Sequence, residues 1–407
     1  MKDFAITNIK NLVGVWEQAP TKPLRGDELS HLPQLANSWL AVQDGLIAEY
    51  GQGVLPDIYN ELPHIDAQGG HVLPCFVDSH THIVYATSRE QEFVARIKGQ
   101  TYEEIAANGG GILNSAKRVT EASEEELFHS AFERLLLCVN QGTGAIEIKS
   151  GYGLSTESEL KMLRVIKRLK NVSPIPIKAT FLGAHAFPME FKNNQQAYID
   201  IIINEMLPQI AENNLADYID VFCDRGFFDV AQTCQILRAG AQYGLKGKIH
   251  GNELGLTGGV QAAVAENALS VDHLEHTSEE EIILLANSST IGTLLPSTAF
   301  FLGIPYPNAR GLIGGGAAVC LASDFNPGSS PSGRMSFVIS LACIKMKMTP
   351  AEAINAATVN AAFALELQDS LGTITKGKLA KLIITKPISS LEFLPYNFGG
   401  DIIEKVL

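Results

Sequence analysis

Four residues far apart in the chain are of types that bind a divalent metal. His80 and His82 lie one residue apart in Asp78-Ser79-His80-Thr81-His82, and His250 and Asp324 stand far downstream. Three imidazoles and a carboxylate can hold one ion with a position left open, and such an ion lowers the pKa of water toward about 7. Each residue taken alone has an ordinary reading: a surface or hydrogen-bonded histidine, a satisfied core histidine, a helix-capping aspartate. Their setting favours chemistry, because each follows a strand-like apolar run: Val72 to Val77, Leu245 to Ile249, and Val319 to Ser323. On an extended strand residues i and i+2 point to the same side, so His80 and His82 can reach one ion. A buried aspartate at a strand end also needs a partner. Nearby, Glu253 follows His250 by three positions, and His273 ends another apolar run in Val271-Asp272-His273-Leu274-Glu275-His276. His276 reads as a solvated helix-start residue. Asn326-Pro327-Gly328-Ser329 forms a tight loop whose amides and hydroxyls suit a carboxylate.

The elements that must position these groups can be counted. Eight short, β-branched-rich apolar runs follow residue 70: Val72 to Val77, Thr143 to Lys149, Pro176 to Leu182, Tyr218 to Cys223, Leu245 to His250, Leu269 to His273, Thr290 to Leu295, and Ala317 to Ser323. Near-continuous hydrophobicity suits parallel strands buried on both faces. Helical patterns separate many of them. Ser123 with Glu126, and Thr156 with Glu159, read as capping-box starts, while Glu279 to Ala286 and Pro350 to Leu365 read as helices. The alternation predicts a (β/α)8, TIM-like barrel over residues 72–372, in which reacting residues gather at the C-terminal ends of strands. The chain ends differ. Asn37 to Ile47 alternates around an Asp44-Gly45 turn, and Gly372 to Lys386 has strand character with a turn at Gly377. Residues 1–71 and 373–407 are expected to meet as one small β-sandwich domain; residues 12–36 carry no clear pattern.

Composition narrows the function classes. With 46% hydrophobic and 18% charged residues the 407-residue chain reads as globular, and it is long for a single domain. A formal net charge of −13 opposes non-specific binding to nucleic acid or to an anionic membrane. No apolar run is long enough to span a bilayer, and Met1 to Lys10 lacks the apolar core of a signal peptide. The six cysteines form no CxxC pair and mostly sit in apolar runs, which suits reduced thiols in a cytoplasmic protein.

The ligand order resembles that of the amidohydrolase superfamily. Binuclear members carry a carboxylated lysine at the end of the fourth strand, where this chain has Cys223 and Asp224. The resemblance therefore implies one metal per chain, divalent or trivalent, zinc or iron, held by His80, His82, His250 and Asp324. Longer segments are similar to the imidazolonepropionase family: Glu92-Phe93 through Gly99 to Ala106 and Gly109 to Ile112; Glu147 to Leu154; Thr180 to His185; Asp272 to Glu275; and Asn326 to Pro331. The similarity runs from about residue 38 to the C-terminus. It departs at Cys75, where glycine is frequent, at Gly251-Asn252, where Ala-Asp is usual, and at Lys381, where aspartate is common. The first two departures are expected to bear on substrate fit or metal affinity.

The resemblance implies a hydrolase of the histidine-degradation pathway that opens the cyclic amide C–N bond of 4-imidazolone-5-propanoate, giving N-formimidoyl-L-glutamate. The residues suit it. Asp324 could take a proton from water, His273 could donate to the developing oxyanion, and Glu253 could move a proton to the departing ring nitrogen. Arg89 offers forked donors to the propanoate. Tyr152 and His185 are implied as ring or carboxylate contacts, with Asn326, Gly328 and Ser329 completing the pocket, Glu253 also touching substrate, and Lys149 in a structural ion pair. The family also suggests a homodimer acting on a small anionic imidazolone. Two other readings remain: an aminohydrolase acting on a purine or pyrimidine with the same metal, and a barrel kept as a non-catalytic scaffold.

Overall fold

A computed structural model describes residues 2–100, 104 and 110–407. The segment Thr101 to Gly109, cited above for its family likeness, therefore lies outside the described residues apart from Glu104.

The strands, in chain order, are β1 (Phe4–Val13), β2 (Gln34–Gln43), β3 (Leu46–Gln52), β4 (His64–Asp66), β5 (Val72–Pro74), β6 (Phe76–Asp78), β7 (Thr143–Lys149), β8 (Ile177–Ala184), β9 (Tyr218–Cys223), β10 (Lys246–Gly251), β11 (Ser270–His273), β12 (Ile291–Leu294), β13 (Val319–Leu321), β14 (Leu382–Thr385) and β15 (Ile403–Val406). Strands β6 to β13 form one eight-stranded parallel sheet in sequence order. The sheet curls until its two edges meet just beyond β6 and β13. There Asp324 N–H donates to His80 O at 3.0 Å, and His82 N–H donates to Phe325 O at 2.9 Å. The closure is thus made by the very segments that carry the candidate ligands. This is the expected (β/α)8 barrel.

One expected strand proves to be two. Val72 to Val77 breaks at Cys75: β5 pairs with β14 and β1, whereas β6 pairs with β7 of the barrel. The first barrel strand therefore begins at Phe76, and Val72–Pro74 belongs to the terminal sheet. That sheet joins β1–β5 to β14 and β15. It is continuous: β1 pairs with β2 on one side and with β4 and β5 in succession on the other. The two layers expected of a sandwich are joined through β1. An apolar core forms within it, with Phe4, Ile6, Leu40, Val42, Ile47 and Leu382 among the buried members. The Asp44-Gly45 hairpin is present, with φ of 52° and 77° at its two central residues, the left-handed pair that a two-residue hairpin turn needs.

Helices cover the barrel's outer face. Ser123 caps Glu124–Asn140 through a reciprocal bond with Glu126. The next start is displaced by one residue. Ser155, not Thr156, caps Thr156–Val172, and Glu159 turns away from the cap. Its carboxylate accepts instead from the amides of Gly151, Gly153 and Leu154 at 2.7–3.1 Å. The expected capping glutamate thus holds the loop that carries Tyr152. The helix expected over Pro350 to Leu365 is present but widens to a π-helical turn at Ala356–Asn360.

Candidate metal centre and active site

Inside the barrel, alternate residues of each strand point inward and stack in layers. The lowest is apolar: Val77, Ala145, Tyr218, Ile291, Ala318 and Cys320 cluster with Leu365 and Leu371. Two residues further along β7 and β9, Glu147 and Asp220 carry charge, and Lys149, Lys248 and Asp272 from β7, β10 and β11 join them. Lys149 Nζ lies 2.8 Å from Glu147 Oε1, 2.8 Å from Asp220 Oδ2 and 3.6 Å from Asp272 Oδ2. Lys248 Nζ lies 2.6 Å from Glu147 Oε2 and donates to Ser79 O at 2.9 Å. All five charged side chains are fully buried. Burial alone would depress the Lys149 ammonium, but Asp220, Glu147 and Asp272 outweigh it and raise its pKa above the ordinary value. The structural ion pair expected for Lys149 is therefore one part of a lattice.

Above the lattice stand the histidines. Asp272 Oδ2 lies 2.7 Å from His80 Nδ1, and Asp220 Oδ2 lies 3.0 Å from His250 Nδ1. Each carboxylate accepts an Nδ1–H and so leaves the ring's Nε2 as a lone pair. His80 Nε2 and His82 Nε2 are 3.3 Å apart, as are His82 Nε2 and His250 Nε2. Burial, with the neighbouring imidazoles and Lys149, pushes all three rings well below the usual histidine range, so they are neutral. Asp324 Oδ1 completes the ring of donors, 3.5 Å from His80 Nε2 and 3.7 Å from His82 Nε2. Among the described residues, His80, His82 and His250 are the group whose donors converge closely enough for an ion. Neutral, water-excluded lone pairs facing one another beside a carboxylate fit a single divalent cation. At the end of β9, where a bridging lysine would stand, Cys223 is buried and Asp224 accepts from the Leu254 amide at 2.9 Å.

A cavity of about 490 Å³ opens over this cluster. His82, Arg89, Tyr152, His185, His250, Glu253, His273, Asp324, Asn326, Gly328 and Ser329 all line it, and His80 lies behind. Every residue expected at the site is therefore at or against one cavity. His273 Nε2 lies 3.7 Å from Glu253 Oε2. Burial pulls His273 down, but Glu253 and Glu275 outweigh it and push it up to about 10; burial, eased by His273, pushes Glu253 up to about 7. Burial also raises the Asp324 carboxyl, which accepts from Thr298 Oγ1 at 2.5 Å. His185 is lowered by burial to about 4, and its Nδ1–H donates to Gly151 O at 2.9 Å, which leaves Nε2 as an acceptor. Arg89 is held by Glu92, whose other oxygen accepts from Gly111 N–H at 3.1 Å. A Cβ on Gly328 would collide with the Arg89 guanidinium, so a larger residue there would displace that side chain. Arg96 reaches the same loop, with Nη1 3.1 Å from Gly328 O.

The chain is 56% identical to the imidazolonepropionase of Flavobacterium johnsoniae over 99% of its own length and 98% of the relative's. It is 40% identical to that of Thermoanaerobacter pseudethanolicus, over 100% and 96%. The chain belongs to the imidazolonepropionase family. Residues 233–401 also match the amidohydrolase family model. Solved structures agree on the fold. A guanine deaminase from C. acetobutylicum aligns with a TM-score of 0.69 at 17% identity, covering 100% of this chain and 98% of the other. A 5-methylcytosine deaminase from Klebsiella pneumoniae aligns with a TM-score of 0.72 at 17% identity, covering 99% and 96%.

The departures from the family pattern can now be located. Cys75 does not reach the cavity, contrary to the expectation that it could alter substrate fit. It sits at the joint between the two sheets, where its N–H donates to Lys381 O at 2.9 Å, so two of the departures are neighbours. Asn252 adopts a φ of 58°, a conformation asparagine tolerates, and its amide bonds His276 O and Glu281 Oε1 at 3.1 and 2.9 Å. It props the loop behind Glu253. Residues that sequence reasoning missed are Asp220, Asp272 and Lys248 beneath the histidines, Thr298 on Asp324, and Glu159 under the Tyr152 loop. A signal existed for Lys248: Lys248-x-His250, like Glu147-x-Lys149, places charge at period two inside an apolar strand.

Proposed function

We propose that the chain hydrolyses the cyclic amide C–N bond of 4-imidazolone-5-propanoate to N-formimidoyl-L-glutamate, as a cytoplasmic step of histidine degradation. Full-length identity of 56% to an imidazolonepropionase is the observation that carries this reading. The residues of the cavity support it. His80, His82, His250 and Asp324 would hold the ion, for which zinc and iron both suit nitrogen and carboxylate donors. When bound, the ion supplies Lewis acidity and makes water acidic enough to lose a proton near neutral pH.

The side chains supply the rest. The propanoate lies toward Arg89, whose planar fork matches a carboxylate. Gly328 and Ser329 line the cavity beside it; the Gly328 amide donates to Asn326 Oδ1 at 2.7 Å and so fixes the shape of the loop against Arg89. Asp324, its other oxygen tied to Thr298, takes the proton of the attacking water. His273 Nε2–H donates to the oxygen that becomes charged when the ring carbonyl is attacked. Glu253, poised near neutrality, passes a proton to the ring nitrogen as the C–N bond breaks. Neutral His185 accepts a ring N–H through Nε2, and Tyr152 packs beside it with ring centroids 5.3 Å apart. The test is spectrophotometric loss of imidazolone propionate by the purified protein, with and without a chelator, alongside metal analysis. Consumption that stops on chelation and returns with zinc or iron supports the reading. Ammonia release from a purine or pyrimidine, with no loss of imidazolone propionate, would replace it with a deaminase.

A further inference from the structure

Glu275 has no role in the reaction as drawn, yet its carboxylate is sealed from solvent, and neither of its oxygens has a hydrogen-bond partner. An ionised carboxylate in that setting is strongly disfavoured unless a donor meets it. The donor facing it is His273, whose Nδ1 lies 3.6 Å from Glu275 Oε2 and is likewise buried without a hydrogen bond. On the opposite edge of the ring, Nε2 faces Glu253 at 3.7 Å. The imidazole thus lies between two carboxylates, one lining the cavity and one closed off from it. The backbone is bent to allow this. His273 and Leu274 have φ of 87° and 63°, consecutive left-handed conformations that are uncommon outside glycine and least suited to the leucine, at the end of β11. They bring Glu275 back against the ring two positions earlier.

We propose that Glu275 is a positioning residue that accepts the Nδ1–H of His273 and so commits Nε2, with whatever proton it carries, to Glu253 and the substrate. A shift of about 0.7 Å closes the 3.6 Å contact to a charge-assisted hydrogen bond. The logic is that of a nucleophile–base pair oriented by a third group, here applied to a histidine that donates to an oxyanion. The inference rests on the role given to His273 in the proposed reaction.

Two measurements test it separately from that reading. In the metal-loaded protein without substrate, an exchange-protected, far-downfield imidazole proton should appear by NMR, vanish in His273→Gln, and move upfield in Glu275→Gln. Its absence from the wild type, or its indifference to Glu275→Gln, overturns the proposal whatever the substrate is. In turnover, Glu275→Gln should lower kcat by roughly 10- to 100-fold while KM changes less than about twofold. Adding it to His273→Gln should then cost nothing more, because Glu275 acts only through that ring. An additive loss in the double variant, or wild-type kcat in Glu275→Gln, overturns it. Metal content and melting temperature of Glu275→Gln should match the wild type; if that variant fails to fold, the NMR signal in the wild type and its loss in His273→Gln decide. Failure to turn over imidazolone propionate would sink the assigned reaction and leave the NMR result standing.

Discussion

On β7 and β9 the lower and middle layers of the barrel interior lie two residues apart, and they solve burial in opposite ways. Ala145 and Tyr218 fill the lower layer with apolar surface, whereas Glu147 and Asp220, the next inward residues, carry charge into an equally dry interior. Charge survives there because it is saturated. Two ammonium groups face three carboxylates, and two of those carboxylates spend their remaining capacity on His80 and His250. The lower layer contributes stability through area removed from water. The middle layer contributes little net stability by that measure, since desolvation consumes most of the attraction. What it contributes is direction: it dictates which nitrogen of each imidazole faces the ion.

The largest expected effect tests the top of that stack. Asp324→Ala should cut turnover by at least about 10²- to 10⁴-fold, the usual worth of a proton acceptor, with the loss of a metal ligand added to it. Circular dichroism should remain that of the folded protein. Retention of full activity would remove Asp324 from both roles. Next, Lys149→Met should destabilise the protein by about 3–5 kcal/mol in chemical denaturation, because three buried carboxylates then share one ammonium. An equal volume of methylene in the apolar layer below would not do this, so a loss under about 1 kcal/mol would erase the distinction between the layers. A smaller and more selective effect is expected for Asp220→Asn. The side chain keeps its shape but no longer dictates the His250 tautomer. Metal affinity should fall by roughly 10- to 100-fold, read by competition with a chromophoric chelator, and the metal-free protein should lose less stability than Lys149→Met does, because the amide group then faces a donor that Asp220 now satisfies.

Sequence and structure agree best where a property is local. Thr143–Lys149, Tyr218–Cys223 and Glu279–Ala286 were each legible to the residue, because a largely apolar, β-branched run or a helical pattern is written in consecutive positions. The break at Cys75 was not, because apolar character continues through Val72 to Val77 and Pro74 is its one local sign. The strand divides only since Lys381 O and Gly142 O, from distant segments, claim consecutive amides. Glu159 shows the same limit: its spacing from Thr156 fits a cap, but three loop amides compete for it and win. The ligand quartet could be read because strand ends and residue type coincide. Its supports could not be assigned roles, because Asp220 and Asp272 acquire meaning only from histidines on neighbouring or opposite strands.

The comparison extends to the terminal sheet, whose mostly apolar interior holds His71. Its side chain is fully buried, and both ring nitrogens lack hydrogen-bond partners, the reverse of His80 and His250. Burial lowers its pKa, and the nearby Lys10 ammonium lowers it further, against weaker opposition from the Ile388 carbonyl and Glu392. The sign follows from linkage. Above the unfolded value of about 6.5 the ring is neutral in both states and the group does not bear on stability. Below it the unfolded chain binds a proton that the folded chain refuses, so stability falls with pH until the depressed folded value is reached. His71→Phe removes the titration and keeps a ring in the space, and so should flatten part of the decline in melting temperature between pH 7 and 5. The histidines above the lattice do not offer this test, since a bound ion competes with their protons. A decline that is the same in both proteins would assign acid sensitivity to the carboxylates of the barrel instead, and the uncompensated histidine at the joint would then be silent.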